Sequence, residues 1–160
     1  MQISEISEKE CLEVLTRAVL GRLGTAKDNQ PYIVPVYLAY DSFCLYIFST
    51  FGKKIDWMRA NPKVCVQVDE INGQSEWISV IANGIYEELL ETQHPEQYTH
   101  ARLLLQNRHR WWLNALAERR IQLRDEEITP MFFRIKIDSM SGLRALNGKE
   151  GRANDTESAA

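Results

Sequence analysis

The chain has 160 residues, of which 44% are hydrophobic and 26% charged, a composition typical of one folded domain and not of a disordered or fibrous protein. Nineteen Lys and Arg against 22 Asp and Glu give a net charge of -3, so no general basic excess attracts nucleic acid or an anionic membrane. The first residues, MQISEISEKE, are acidic, and no apolar run approaches ~18 residues. We therefore expect a cytoplasmic protein.

The first predicted elements are a helix and three strands. Ser7 and Glu10 fit a capping box, and the apolar spacing that follows predicts a helix over about residues 8–19. The segments GRLGTA, YIVPVYLAY and FCLYIFS are typical of strands. Turn clusters at Lys27-Asp28-Asn29-Gln30 and Asp41-Ser42 separate them, so the three strands are predicted to form antiparallel hairpins.

A short helix and three more strands are predicted next. GKKIDWMRAN has helical spacing and is followed by Asn61-Pro62, which ends a helix. KVCVQVDEI and EWISVIANGIYEELLE are predicted strands joined at Asn72-Gly73, with Gly84 marking a bulge or a bend. MFFRIKID is predicted to be the sixth strand.

A helical segment over about residues 95–120 is predicted between the fifth and sixth strands, as one long helix or two shorter ones. We expect its apolar stripe, which includes Trp112, to pack on the other elements. Trp111 and Trp112 could instead stack on a ligand. Residues 1–146 are predicted to form one domain, and residues 147–160, with no large apolar residue except Ala, a disordered tail.

This order of elements predicts a mainly β fold with α additions. The strands do not alternate with helices regularly enough for a parallel sheet, so antiparallel pairing is implied. A small barrel is the compact way to remove the edges of such a sheet.

The cysteines and histidines do not suggest a metal site. Cys11, Cys44 and Cys65 lie in separate apolar runs without C-x-x-C spacing, and we expect buried reduced thiols. The three histidines lie far from them in sequence, so no metal is predicted.

The motifs of common hydrolases, kinases and dinucleotide-binding enzymes are absent from the sequence. The remaining candidate is Ser49-Thr50-Phe51-Gly52-Lys53-Lys54, at a predicted junction between a strand and a helix. Hydroxyls, ammonium groups and free backbone N–H groups meet there, as in a phosphate site. Alternatively, the two lysines are simply solvated on the first turn of a surface helix.

Successive blocks of the sequence resemble the pyridoxamine-phosphate-oxidase-like flavoproteins, nearest to the branch that contains nitroimidazole-resistance proteins. The resemblance covers roughly residues 10–90 in order, with a weaker similarity over Met131–Gly142. The blocks that carry it are GRLGT, QPYIVPV, LYIFS, GKKI, NPKV and WISV. The resemblance implies a six-stranded antiparallel split β-barrel that forms a homodimer and holds FMN in a cleft between its subunits.

The resemblance also implies cofactor-binding residues. An Arg-Lys pair that binds the flavin phosphate in the oxidase matches Lys53 and Lys54, and hydroxyl and main-chain contacts match Ser49 and Thr50. The strand that runs along the flavin ring matches Val34, Pro35 and Val36. A Gln that contacts the cofactor falls on Ser79, whose shorter side chain departs from the pattern.

The sequence lacks the Arg-x-His motif with which the oxidase holds its vitamin substrate, since its C-terminal block reads Ser141-Gly142-Leu143-Arg144-Ala145. Oxidation of pyridoxamine phosphate is therefore not expected. The leading hypothesis is an FMN-dependent oxidoreductase with a small-molecule substrate and no identifiable catalytic side chain. Haem or a deazaflavin could replace FMN, and the alternatives in function are a non-catalytic sensory module or a barrel that only dimerises.

Overall fold

Seven strands and three helices make up the described part of the chain, which comprises residues 2–73, 75–107 and 130–146 of a computed structural model. In chain order they are β1 (Gln2–Glu5), α1 (Glu8–Arg17), β2 (Leu20–Lys27), β3 (Gln30–Asp41), β4 (Cys44–Thr50), α2 (Lys53–Ala60), β5 (Lys63–Ile71), β6 (Trp77–Leu89), α3 (Pro95–Gln106) and β7 (Pro130–Leu146).

Six of these strands close into an antiparallel barrel. Their order is β7-β4-β3-β2-β5-β6, and β6 pairs again with β7 to complete the ring. The ladder between β6 and β7 shifts its register between Asn83 and Gly84, which confirms the predicted bulge. The mainly β, antiparallel, split-barrel prediction is confirmed.

Two tight turns fix the register of the first three barrel strands. Asp28 and Asn29 have φ values of 51° and 61°, and Ser42 and Phe43 have values of 49° and 58°. Two consecutive left-handed residues between paired strands are the geometry of a type I′ hairpin, which matches the natural twist of the strands. Both turns lie at the predicted positions, the second ending one residue later.

The core fills the barrel and is closed by helices. Alternate residues of the strands, among them Leu23, Ile47 and Val66, are fully buried with Ile55 and Met58 of α2. The buried face of α1 packs on the same core, and the predicted capping box starts that helix, with the two reciprocal backbone bonds at 2.9 and 3.3 Å.

A second apolar cluster lies outside the barrel, where α3 covers β3, β4 and β7. Ala101 and Leu105 of α3 are buried against Tyr46 and Phe132. The described helix ends at Gln106, and the rest of the predicted 95–120 segment, including Trp111 and Trp112, lies outside the described residues, as does the predicted 147–160 tail.

Three details differ from the sequence predictions. β1 was not predicted, and β7 continues to Leu146 because its second half pairs with β6 and with β1. Only Cys11 is buried among the three free cysteines, since Cys44 and Cys65 are partly exposed.

Among the described residues, no helix combines the length and apolar character needed to cross a bilayer.

Candidate functional site

The barrel opens between β3 and β4. Their ladder runs from Asp41/Cys44 to Leu38/Ile47 and stops there. Beyond this point β3 stays paired with β2 as far as Gln30, and β4 stays paired with β7 as far as Thr50. The two strands therefore diverge, and a gap separates residues 30–37 of β3 from residues 48–50 of β4.

Val34, Pro35 and Val36 form the β3 edge of this gap. The Val36 side chain is buried in the core and Val34 packs against it, whereas Pro35 is exposed. A proline in mid-strand suits a strand that has lost one neighbour, because it has no N–H to donate. The two valines can therefore meet a ligand mainly through their backbone, and Pro35 through its ring.

Ser49 and Thr50 form the opposite edge. Ser49 is buried, and its hydroxyl donates to the Thr50 carbonyl at 2.9 Å. Pro130, which faces Thr50 in the ladder with β7, has no N–H to offer that carbonyl. The Ser49 hydroxyl is thus already used within β4, and a ligand would have to displace this bond or use the hydroxyl as an acceptor.

The first turn of α2 closes the end of the gap. Gly52 is its N-cap and supplies no side-chain bond, while its carbonyl accepts from Ile55 N at 2.9 Å. Lys53 and Lys54 follow, where the helix dipole disfavours cations. Lys53 is exposed and Lys54 partly buried. Two cations at this end of a helix are explained if an anion binds between them and the backbone N–H groups.

Two aromatic rings hold the Lys53 ammonium. Its Nζ lies 4.6 Å from the ring centroid of Tyr32 on β3 and 4.6 Å from that of Trp57 on α2. The rings are 5.5 Å apart and inclined by 56°. No carboxylate in the described part of the chain forms an ion pair with Lys53, so its charge is not neutralised there.

The last turn of α2 is tied to β6. Arg59 donates two hydrogen bonds, of 2.9 and 2.7 Å, to the Glu88 carboxylate, which also accepts from the Tyr86 hydroxyl at 3.1 Å. The bonds from Arg59 lower the pKa of Glu88, and burial together with the Glu88 charge raises the pKa of Tyr86. This cluster fixes the helix that carries the two lysines.

Ser79 lies away from the other predicted site residues. It is on β6 opposite Leu143, and its hydroxyl accepts from Gln67 Nε2 at 3.1 Å. Leu89, at the end of β6 near β4, is ten residues further along the strand, about 33 Å at the usual rise. Within one chain, Ser79 therefore belongs to a different part of the barrel.

The outer face of β3, β2, β5, β6 and β7 carries several exposed apolar side chains, and Ser79 lies on it. Its large exposed hydrophobic residues are Leu20, Ile33, Ile71, Ile81 and Leu143, of which Ile33 is 68% exposed. A cleft of about 650 Å³ crosses this face over a row of ladder partners, Ile33, Gly24, Cys65, Asn83 and Ser139. Thr25, whose hydroxyl has no hydrogen-bond partner among the described residues, also lines it.

Candidate metal ligands are not clustered in the part of the chain that the structure describes. Among the described residues, no three His, Cys, Asp or Glu side chains are grouped to hold a metal. His100 bonds through Nε2 to Asp41 at 2.9 Å on the outside of the barrel.

Sequence reasoning missed the groups that position α2. Tyr32 and Glu88 are distant from the lysines in sequence, and no short motif connects them. Trp57 packs on Tyr32 and also contacts Lys53. Only the register of the strands and the direction of α2 bring these side chains together.

The fold and this gap define the chain as a split barrel with a cationic opening between two strands. The sequence matches the pyridoxamine 5′-phosphate oxidase family over residues 7–144. The chain belongs to this family.

Individual relatives agree with this assignment. The chain is 38% identical to an uncharacterized protein of Rhizobium meliloti (strain 1021), over 93% of this chain and 99% of the relative. A crystal structure of a FAD-binding protein from Mesorhizobium loti shares 44% identity and a TM-score of 0.75, over 92% of this chain and 99% of that one. A protein from Bacteroides thetaiotaomicron, provisionally named as a 5-nitroimidazole antibiotic resistance protein, has the same fold at 17% identity, with a TM-score of 0.68 over 91% and 92% of the chains.

Proposed function

We propose that this protein is a flavin-binding protein that holds FMN in the gap between β3 and β4 and acts as an oxidoreductase on a small molecule. The observation that carries the proposal is the divergence of the two strands beside the first turn of α2, where Lys53 has no carboxylate partner in the described part of the chain. Family membership and the 44% identity to a FAD-binding protein support a flavin as the ligand.

The residues at the gap fit a flavin phosphate. Lys53 and Lys54 supply positive charge, the start of α2 supplies backbone N–H groups, and Thr50 supplies a hydroxyl. Apart from Gly52 and its two chain neighbours, no atom of the described residues lies within 4 Å of the point where a side chain on Gly52 would begin, so a phosphate has room beside the cap. A dianion here also relieves the unfavourable placement of two cations.

The chain's own contribution would be to bind and orient the cofactor. Lys53 and Lys54 would hold the phosphate, and the backbone of Val34 and Val36, with the exposed ring of Pro35, would support the flavin along β3. A bound flavin supplies the exchange of electrons or hydride with a substrate. The sequence block Ser141–Ala145 lacks the basic motif that grips a vitamin substrate, so we propose a substrate other than pyridoxamine phosphate.

We propose in addition that two copies form the complete site. The outer face with Ile33 and Ile81 exposes several large apolar side chains, and exposed apolar patches commonly mark interfaces. A second copy of the chain would bury them, as isologous interfaces commonly do. Ser79 lies on this face and far from its own gap, so it would reach a flavin only across such an interface.

The cofactor is tested by the absorption spectrum of freshly purified protein. Flavin absorbs near ~450 nm and haem near ~400 nm, and chromatography of the released chromophore distinguishes FMN from FAD. We expect FMN, reducible in the bound state and reoxidised by a small acceptor. A Soret band, or colourless protein that FMN does not reconstitute, would contradict the proposal.

The assembly is tested by sedimentation across a dilution series with and without FMN. Because flavin would bind the dimer and not the monomer, FMN should shift the equilibrium towards the dimer. A monomer that retains one FMN per chain would contradict the shared site.

A further inference from the structure

The contacts of Lys53 differ from those of an ordinary surface lysine. The side chain is exposed, yet its Nζ is 4.6 Å from two ring centroids at once, those of Tyr32 and Trp57. The rings are inclined by 56° and form a wedge with the ammonium at its mouth. One ring belongs to β3 and the other to α2. The wedge therefore spans the gap at the end where α2 begins.

Such a wedge restricts a flexible cation without neutralising it. A free lysine side chain has many rotamers, and a ligand that orders it loses part of its binding free energy. The faces of aromatic rings attract an ammonium group but, unlike a carboxylate, leave its charge available to an anion. Lys53 is thus held beside the first turn of α2 with its charge intact.

We propose that Tyr32 and Trp57 are positioning residues that hold the Lys53 ammonium in place to receive the terminal phosphate of the flavin. This inference rests on the proposed function, since it concerns the phosphate end of the same site. The two rings act through Lys53, and their removal reduces the preference of the protein for a phosphorylated flavin without changing its affinity for the flavin ring.

The test compares FMN with riboflavin, which lacks the phosphate, by titration of flavin fluorescence with full-length protein. The variants are Trp57→Leu and Tyr32→Leu, and the controls Trp57→Phe and Tyr32→Phe keep a ring face. We expect each Leu variant to lose about three- to tenfold in the FMN-to-riboflavin affinity ratio, and each Phe variant to retain most of it. Riboflavin affinity should change by less than about twofold.

Repeating the Leu substitutions in a Lys53→Met background shows whether the rings act through the lysine. We expect them to have no further effect on the ratio there, which a general structural role would not produce. Each FMN-to-riboflavin affinity ratio compares two ligands on the same variant, so a loss of active protein affects both affinities alike. If the variant of one ring does not fold, the variant of the other ring provides the test.

The outcomes separate the inference from the proposed function. Wild-type protein that binds FMN no better than riboflavin would contradict the phosphate site itself. If the wild type prefers FMN over riboflavin and both Leu variants keep this preference, the positioning role alone is overturned. The same holds if the preference rises in the Leu variants, because the rings would then have held the ammonium away from the phosphate.

Discussion

The substitution Glu88→Gln removes the charge that anchors α2 and keeps the shape of the side chain. The wild-type carboxylate accepts two bonds from Arg59 and one from the Tyr86 hydroxyl. Glutamine retains a single acceptor oxygen, and its amide group would point N–H donors at Arg59 or Tyr86. The helix that presents Lys53 and Lys54 therefore loses a charged attachment to β6.

The loss of stability expected for Glu88→Gln depends on the burial and charge of the two side chains. The Glu88 side chain is 17% exposed but that of Arg59 is 46% exposed, so solvent screens the pair and its contribution must be discounted. Charge-assisted bonds of good geometry then give a loss of about 1–2 kcal/mol in the free energy of unfolding at pH 7. Displacement of α2 should also weaken FMN binding, by about tenfold at most.

The contribution of Glu88 to the free energy of unfolding depends on pH in one direction. The pKa of Glu88 is lowered by Arg59, so its stabilising contribution is fully present above the ordinary pKa of a glutamate and is lost as the pH falls through the lowered value. Urea unfolding should therefore separate wild type from Glu88→Gln at pH 7, and the difference should shrink as the pH falls below the ordinary pKa of a glutamate.

Glu87→Gln is the matched control. Its carboxylate accepts from Arg134 and Lys136 on β7 and does not contact α2. We expect this variant to lose stability but to bind FMN like the wild type. Equal stability of wild type and Glu88→Gln at pH 7, or a difference that does not shrink below the ordinary pKa of a glutamate, would refute the reasoning.

Three further predictions concern the barrel and its outer face. Gly84→Ala should lower the free energy of unfolding by about 3 kcal/mol in urea titrations, because the new methyl group would overlap the Lys136 carbonyl oxygen at the bulge; unchanged unfolding would show that the bulge can relax. Ser7→Ala should cost about 1 kcal/mol by removing the capping box of α1, and the same thermal midpoint as the wild type would argue against it. Ile33→Lys should weaken the dimer at least about tenfold in sedimentation and leave the unfolding of the monomer unchanged, whereas a dimer of wild-type strength would place the interface elsewhere.

Local sequence patterns predicted the elements whose determinants are local. The turn residues at Asp28-Asn29 adopt the left-handed conformation that a type I′ hairpin needs, and Ser7 with Glu10 caps α1 as predicted. Gly84 lies at the bulge because a side chain there would meet the β7 backbone.

Non-local pairing explains what the sequence did not reveal. β1, with sequence QISE, is exposed at all four positions and has no apolar alternation, so only its ladder with β7 makes it a strand. The second half of β7, from Asp138 to Leu146, has four polar residues among nine and owes its extended form to its pairing with β6 and β1.

The candidate site likewise has some residues that the sequence identified and others that only the folded structure reveals. The Lys53-Lys54 segment was recognisable from its place between a strand and a helix, and the resemblance pointed to Val34–Val36 and Ser49. The burial of Val36 and the distant place of Ser79 emerge only from the packing and the register. The same holds for the contact of Tyr32 with Lys53.

The central claim is that the gap between β3 and β4 holds the phosphate of a flavin. The most direct test measures the affinities for FMN and riboflavin of the wild type and of the Lys53→Ala/Lys54→Ala double variant. Two charge-assisted contacts predict that the wild type prefers FMN by about 100-fold or more. The double variant should lower this preference below about tenfold while binding riboflavin within about twofold of the wild type. An unchanged preference, or an equal loss of affinity for both flavins, would contradict the claim.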